Sequence, residues 1–514
     1  MGVKRPLAIH PLLFAIYPIL YLYATNVDLL SFSEILVPLA ITLGMTIVLF
    51  LGFRLLFKDG TKAGILTSAI LILFFSYGHA WKALRLAGVA IWDWAPDRHG
   101  YLLLLWGLLF LLAVLVVVKK GSSLRAVTTY LNVVGALLLV APLVTVGIHI
   151  VNRARLVPLG ATPGNQIQVE LAEKLPDRYN ARLERPGATP ESQIQVEVPE
   201  KPPDIYYVIL DSYGRTDFLR EVCDYDNSEF IEHLTAKGFY VASKSRSNYG
   251  QSYLSLASSL NMEYLNYLSD ELGVESTDRT TLYSMIVDNR VQRTLRGAGY
   301  RFLHFSSGWG PTDHNRLADI NYRPEVLNDF RTMLLETTML NPIVQPRAAA
   351  QKRARTQSTF EMIGKIAHIE EPTFVFAHLL VPHFPFVFDR DCSPRHHIQG
   401  TLGFRGPDDV EAYVDQLVCV NKMVEALADE ILARSEVPPI IVLQADHGPS
   451  EEMGIFNAFY LPEDGRSYLY SSITPVNTFR LIFDFYFGTN LGLLEDKSYF
   501  SNYSHPYQFI QVEE

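Results

Sequence analysis

The chain has 514 residues, 49% of them hydrophobic and 19% charged, with a formal net charge of -10 at pH 7. That balance leaves no basic face of the kind nucleic acid requires, which excludes a nucleic-acid-binding protein. Three cysteines, Cys223, Cys392 and Cys419, are too few and too scattered for a disulfide framework or a thiolate metal site.

Five long apolar runs fill the first third, at residues 10–23, 35–56, 64–84, 101–118 and 126–151. Most approach the ~20 residues that cross ~30 Å of hydrocarbon. The first is short and interrupted by Pro18, but no small-residue cleavage site follows it and four more runs do, so it reads as a span and not a signal peptide. Lys4 and Arg5, then Arg54, Lys58 and Lys62, then Lys119, Lys120 and Arg125 all fall on one side, which the positive-inside rule makes cytoplasmic. The opposite loops carry acidic charge at 24–34 and interfacial tryptophans in Ile91-Trp92-Asp93-Trp94. An odd number of spans then places everything after Val151 outside the cytoplasm, on a plasma membrane.

Between the runs and the remainder lies an internal repeat. Gly160-Ala161-Thr162-Pro163 and Gln166-Ile167-Gln168-Val169-Glu170 recur 27 residues later as Gly187-Ala188-Thr189-Pro190 and Gln193-Ile194-Gln195-Val196-Glu197. Two Pro-rich polar copies cannot bury a core, and solenoids need at least ~3 repeats, so a duplicated tether is expected. The expected domains are therefore a five-helix transmembrane domain over 1–151, a tether over 152–203 and a catalytic domain over 204–514.

From Asp204 onward, short runs of β-formers at 205–210, 300–305, 373–380 and 439–444 alternate with helical patterns such as 412–433. Buried strands alternating with helices predict an α/β domain with a mostly parallel sheet covered on both faces. In such sheets chemistry collects beyond the carboxyl ends of the strands. Asp211, Ser307 and Trp309, His383, and the pair Asp446 and His447 all fall there. Cys419 sits in one of the helical patterns and reads as a core residue; a Cys223–Cys392 bridge stays open without being favoured.

Asp446-His447-Gly448 is the sharpest local signal, a carboxylate and an imidazole side by side after an apolar strand, suited to one divalent ion such as Zn²⁺ or Mn²⁺, with Mg²⁺ or Ca²⁺ also open. An Asp at a strand end is often only the N-cap of the next helix. Asp211 at another strand end strengthens the metal reading, and Ser252 is the expected fourth donor. It stands where a turn-prone stretch, Ser247-Asn248-Tyr249-Gly250-Gln251, leads into a helix-like segment, and a helix N-terminus suits a phosphate. Ser255, Ser258 and Ser259 read as small packing residues, and His378 as a satisfied core histidine.

With these motifs in view, the chain resembles the alkaline phosphatase superfamily, in its sulfatase-like membrane branch of lipoteichoic acid synthases and phosphoethanolamine transferases. The resemblance covers spans, tether, an early strand ending in an acidic ligand, a hydroxyl nucleophile and a late Asp-His-Gly. Leu260 and Asn261 fall where the Leu-Thr of the sulfatase signature falls. It implies Ser252 as nucleophile and Asp211, Ser252, Asp446 and His447 as metal ligands. The transferases generally use Thr where this chain has Ser252, a primary alcohol capable of the same chemistry. Sulfatases instead need a Cys or Ser within a pattern that continues to Pro or Ala two residues on and Arg four residues on. Here Leu254 and Leu256 occupy those positions. His383, in Pro382-His383-Phe384-Pro385, matches a substrate-binding His-x-Pro setting of the branch and is expected to bind a phosphoryl oxygen or protonate the leaving alkoxide. Trp309 is expected to line a headgroup pocket. His314, His396 and His397 carry no assigned role.

The expected function is metal-dependent transfer of a phosphoalcohol headgroup from a membrane phospholipid to an envelope glycan or lipid acceptor, through a phospho-serine. Two alternatives are a membrane-anchored phosphodiesterase or sulfatase-like hydrolase, in which water is the acceptor, and a non-catalytic envelope scaffold.

Overall fold

The computed structural model describes residues 7–27, 32–86, 99–119, 124–155, 194–323, 329–366, 369, 371–395, 407–450 and 452–513. The tryptophans of the 91–94 motif, the first repeat copy, Lys4, Arg5, Lys120, His396 and His397 lie outside the described residues. The chain divides into two compact units, one holding the N-terminal helices together with residues 326–348, the other holding the rest.

In the first unit the five apolar runs are helices: α1 (His10–Ala24), α2 (Ser33–Phe57), α3 (Gly60–Leu86), α4 (His99–Lys119) and α5 (Leu124–Arg155). The last four are long and apolar enough to cross a membrane, whereas α1 has 15 residues with Pro18 inside it. Phe14, Ala15 and Ile19 of α1 pack with Ile35, Leu71, Phe75 and Val146 from α2, α3 and α5. Gly135 admits the close approach of α1 and α5, since a Cβ there would meet Leu13 Cβ at 2.9 Å. Several polar groups inside this unit pair with one another. Asn132 Oδ1 accepts from the backbone N–H of Ile9 and His10, its Nδ2 donates to Leu7 O, and the His10 ring meets Ser68 Oγ at 2.6 Å. In lipid each unmet backbone group costs several kcal/mol, so one asparagine settles the start of α1. The outward side chains are apolar, among them Leu104, Leu112 and Leu137.

The second unit is built on a seven-stranded sheet in the order β2-β7-β6-β1-β5-β3-β4. β1 (Ile205–Leu210), β3 (Arg301–Phe305), β4 (Ile320–Tyr322), β5 (Thr373–Leu379) and β6 (Ile440–Gln444) run parallel. β2 (Tyr240–Val241) and β7 (Asn457–Tyr460) close one edge antiparallel. A hairpin of β8 (Ser498–Asn502) and β9 (His505–Val512) stands apart.

The two-residue alternation of the strands builds two cores. Tyr206, Val208 and Leu210 join Val375, Ala377, Ile441 and Leu443 on one face, where α8 (Pro407–Arg434) covers them; its Leu417 and Val420 lie in the same core. Ile205, Tyr207 and Ile209 join Phe374, Phe376 and Val442 on the other, covered by α6 (Ser252–Asn261) and α9 (Pro475–Tyr486). A further helix, α7 (Asn341–Gly364), contributes Phe360 and Ile363 to the first core. The sheet is thus covered on both sides, as the continuous apolar strands predict.

Two sequence readings are corrected here. Cys392 is bonded to Cys419, and Cys223 is a buried free thiol, so the pairing left open for Cys223 and Cys392 is not the one formed. Cys419 is buried in the core as expected, but it also tethers the segment after β5 to α8. The end of the second repeat copy is not bare linker: Ile194 and Val196 pack against the α6-side core, and Glu197 N–H donates to Phe487 O at 2.8 Å. Alternating apolar side chains gave that stretch one face to bury.

Candidate active site

The order of strands explains why distant residues meet. β1 lies between β5 and β6, all three parallel, so their carboxyl ends sit side by side. Asp211 follows β1, His378 is the last residue but one of β5, and Asp446 and His447 follow β6. On the covering face, α6 brings its first residue, Ser252, to the same end.

Backbone contacts hold the carboxylates. Asp211 N–H donates to Leu379 O at 3.0 Å, and Asp211 O accepts from His383 N–H at 3.0 Å. Ser212 adopts a left-handed conformation with φ 63°, which lets its N–H reach Asp446 Oδ1 at 3.2 Å while its hydroxyl donates to Asp211 Oδ1 at 2.9 Å. Asp446 Oδ1 also accepts from His447 N–H at 2.9 Å, whereas its Oδ2 has no hydrogen-bond partner among the described residues. Gly448 makes the turn behind His447, since a Cβ there would lie 2.5 Å from Glu452 O.

The His447 ring is set by its carbonyl contact. Nδ1 lies 2.7 Å from Gly448 O, so Nδ1 carries the proton and Nε2 presents a lone pair. That Nε2 is 3.2 Å from Ser252 Oγ, 3.7 Å from Asp211 Oδ1 and 3.6 Å from Asp446 Oδ2. Ligand atoms of Asp211, Asp446 and His447 all lie within 4.8 Å of one another, in buried surroundings. Burial opposes protonation of His447, but Asp446 and Asp211 outweigh it and raise its pKa. Burial likewise opposes ionisation of Asp211, yet His383, His378 and His447 hold it well below the usual carboxylate range. Two buried carboxylates facing one another with an unpartnered oxygen are the arrangement a divalent cation relieves. The donors, carboxylate oxygens with an imidazole nitrogen, fit Zn²⁺ or Mn²⁺.

His378 differs from its sequence reading. Its Nδ1 is satisfied by Thr312 Oγ1 at 2.9 Å, but its buried Nε2 has no hydrogen-bond partner among the described residues and stands 3.5 Å from Asp211 Oδ2 and 3.9 Å from Asp446 Oδ2. With one ring nitrogen facing both carboxylates and unpartnered among the described residues, it is not a fully satisfied core histidine. The alternation of β5 carried the signal: 374, 376 and 378 share a face, and only the last reaches the catalytic end.

His383 lies beside this cluster and outside the donor set. Its Nδ1 is 2.6 Å from Phe384 O, and burial lowers its pKa against the opposing pull of Asp211. The loop that carries it is clamped from α7 and α8. Lys352 Nζ donates to His383 O at 2.7 Å and Pro385 O at 3.0 Å, and Gln416 Nε2 donates to Pro382 O at 2.9 Å. Burial pushes the Lys352 ammonium down to about 7, with Asp211 opposing. Sequence reading missed Lys352, since nothing local distinguishes it within the basic run of α7. Trp309 stands edge-on to His378, ring centroids 5.6 Å apart, and to Tyr283 at 6.3 Å. The other three serines of α6 are hydrogen-bonded as well as packed: Ser255 Oγ donates to Asp446 O at 2.5 Å, Ser258 Oγ donates to Glu263 O, and Ser259 Oγ accepts from Tyr207 OH.

No protein-family model and no curated protein matches the chain. Among solved structures it is similar to the C-terminal periplasmic domain of EcEptC from Escherichia coli, at 11% identity and TM-score 0.42, covering 62% of this chain and 94% of that one. It is also similar to the integral membrane protein lipooligosaccharide phosphoethanolamine transferase A from Neisseria meningitidis, at 12% identity and TM-score 0.34, covering 92% and 95%. A third is BT1596, a 2-O GAG sulfatase, at 14% identity and TM-score 0.34, covering 56% and 71%. The likeness is one of fold.

Proposed function

We propose that the chain is a membrane-anchored transferase of the sulfatase-like branch, moving a phosphoalcohol headgroup from a phospholipid to an envelope acceptor. The observation that carries this reading is the Ser252 hydroxyl, at the first position of α6 and 3.2 Å from His447 Nε2, beside the Asp211 and Asp446 carboxylates. Asp211, Asp446, His447 and Ser252 would hold one divalent ion, with His378 Nε2 as a further donor. When bound, such an ion favours the deprotonated hydroxyl and offsets charge on phosphoryl oxygens.

The remaining work falls to the chain. Ser252 Oγ attacks phosphorus, and the bond from phosphorus to the diacylglycerol oxygen breaks as the bond to serine forms. First-turn N–H groups of α6 face the transferred phosphoryl group with positive potential. His383, with Nδ1 donating to Phe384 O and burial keeping the ring neutral, presents an unprotonated Nε2, which accepts the Ser252 proton and passes it to the departing oxygen. The acceptor hydroxyl then repeats the attack in reverse, releasing Ser252. The Cys392–Cys419 bond supports a domain working in an oxidising compartment, which agrees with the charge-based orientation.

The test is intact-protein mass after incubation with mixed phospholipids. A headgroup-phosphate adduct is expected on wild type and absent from Ser252→Ala, with diacylglycerol released and Ser252→Thr retaining turnover. Undiminished turnover in Ser252→Ala would remove the mechanism.

A further inference from the structure

Residues after β4 do not stay with the α/β unit. The helix Asp329–Glu336 and the segment that follows it, up to residue 348, belong to the unit of the apolar helices. The docking is intimate. Phe330 and Leu334 are buried in the same cluster as Phe14, Ile35, Leu71 and Val146. Within α3, Gly78 N–H donates to Thr337 O at 2.9 Å, and Phe74 O, the oxygen that this N–H would meet in an unbroken helix, accepts from Met339 N–H at 2.9 Å. A Cβ on Gly78 would sit 1.9 Å from Glu336 O, so only glycine admits the approach.

The level of this contact along α3 is informative. Gly78 lies eighteen residues beyond Gly60, so about 27 Å along the axis from the end that follows Arg54 and Lys58. That distance reaches the far boundary of a hydrocarbon layer ~30 Å thick. Aromatic residues of an interface stand near this level: Trp81, within a turn of Gly78, stacks on His99 with ring centroids 4.0 Å apart. From this level Met333, Leu340 and Ile343 turn outward, 42%, 39% and 54% exposed, with Arg347 also exposed on the same segment. Exposed apolar side chains on a segment docked to an apolar bundle, with a cation on the same segment, match the acyl and phosphate chemistry of a leaflet boundary.

We infer that residues 329–347 form an interfacial element lying in the lipid boundary at the end of the bundle away from the Lys- and Arg-rich loops. Met333, Leu340 and Ile343 enter the apolar layer, and Arg347 meets lipid phosphates. The chain thereby contacts lipid a second time, from within the sequence of its α/β half.

The test uses the full chain in nanodiscs of phosphatidylcholine and phosphatidylglycerol. Met333→Cys, Leu340→Cys and Ile343→Cys each carry a fluorophore, with Leu104→Cys as the lipid-facing reference and free dye as the aqueous one. Brominated phospholipids are expected to quench the three labels to an extent comparable to Leu104, and iodide severalfold less than free dye. Iodide quenching equal to free dye would overturn the proposal. So would protection from both quenchers, which would mean that a second copy of the chain covers the face. Ile343→Cys keeps the test decisive should the other two variants fail to fold.

Discussion

Asp446 uses its two carboxylate oxygens differently. Oδ1 is occupied by the N–H groups of Ser212 and His447, while Oδ2 is the unpartnered atom facing His447 Nε2 and His378 Nε2. The first oxygen is structural and the second is the proposed ligand. Asp446→Asn keeps an acceptor at Oδ1 and places a neutral group at Oδ2, so the expected result is a folded protein with metal affinity reduced by roughly 10–100-fold. Metal content by mass spectrometry, beside a thermal melt in excess metal, checks it. His378→Gln tests the added donor in the same assay: metal affinity unchanged from wild type would return His378 to a purely structural role.

At the scale of single elements, β3 carries His304, which is 1% exposed and has no hydrogen-bond partner at Nδ1 among the described residues. Burial lowers its pKa from 6.5 to about 4. The folded pKa lies below the unfolded one, so from pH 6.5 down to about 4 the unfolded chain binds a proton that the fold refuses. Stability present above 6.5 is lost across that window, by about 3 kcal/mol if the whole shift is realised. His304→Gln should therefore gain on wild type as pH falls through it, read as the difference in denaturant midpoints. A parallel course of the two pH profiles would place the titration elsewhere. The bond between Cys392 and Cys419, 27 residues apart, closes a loop worth about 3.5 kcal/mol in chain entropy. Alkylation of the denatured chain should add one label without reductant, on Cys223, and three with it. Reduction should lower the melting temperature, and an unchanged melt would show that α8 and the loop hold each other without the bond.

For the whole molecule, the orientation still rests on charge asymmetry between the short loops. Protease added to intact spheroplasts is expected to cut between residues 160 and 193 and to leave a fragment that keeps Ile194 and Val196, because those two side chains pack on the α/β core. Cleavage only after lysis would reverse the topology. Chain order also proved a poor guide to which unit a segment joins. A division at the tether assigns every later residue to the catalytic domain, yet Phe330 and Leu334 lie in the helical bundle's core. Their amphipathic stretch resembles any surface helix, and nothing local names the partner that buries it.

The apolar runs and the β-rich runs were legible because each is decided by periodicity: unbroken hydrophobicity for a span, short buried strands between helices for a parallel sheet. The places of Asp211, Asp446 and His447 after strands and of Ser252 at a helix start were legible, because local sequence reveals where such elements end and begin. Their meeting was decided by strand order, which sets β1 between β5 and β6 and is a property of pairing among segments more than 150 residues apart. The same holds for His378, Lys352 and the Cys392–Cys419 bond. Each looks ordinary in its own helix or strand, and only the packing of other elements gives His378 two carboxylates, Lys352 two carbonyls and Cys419 its partner.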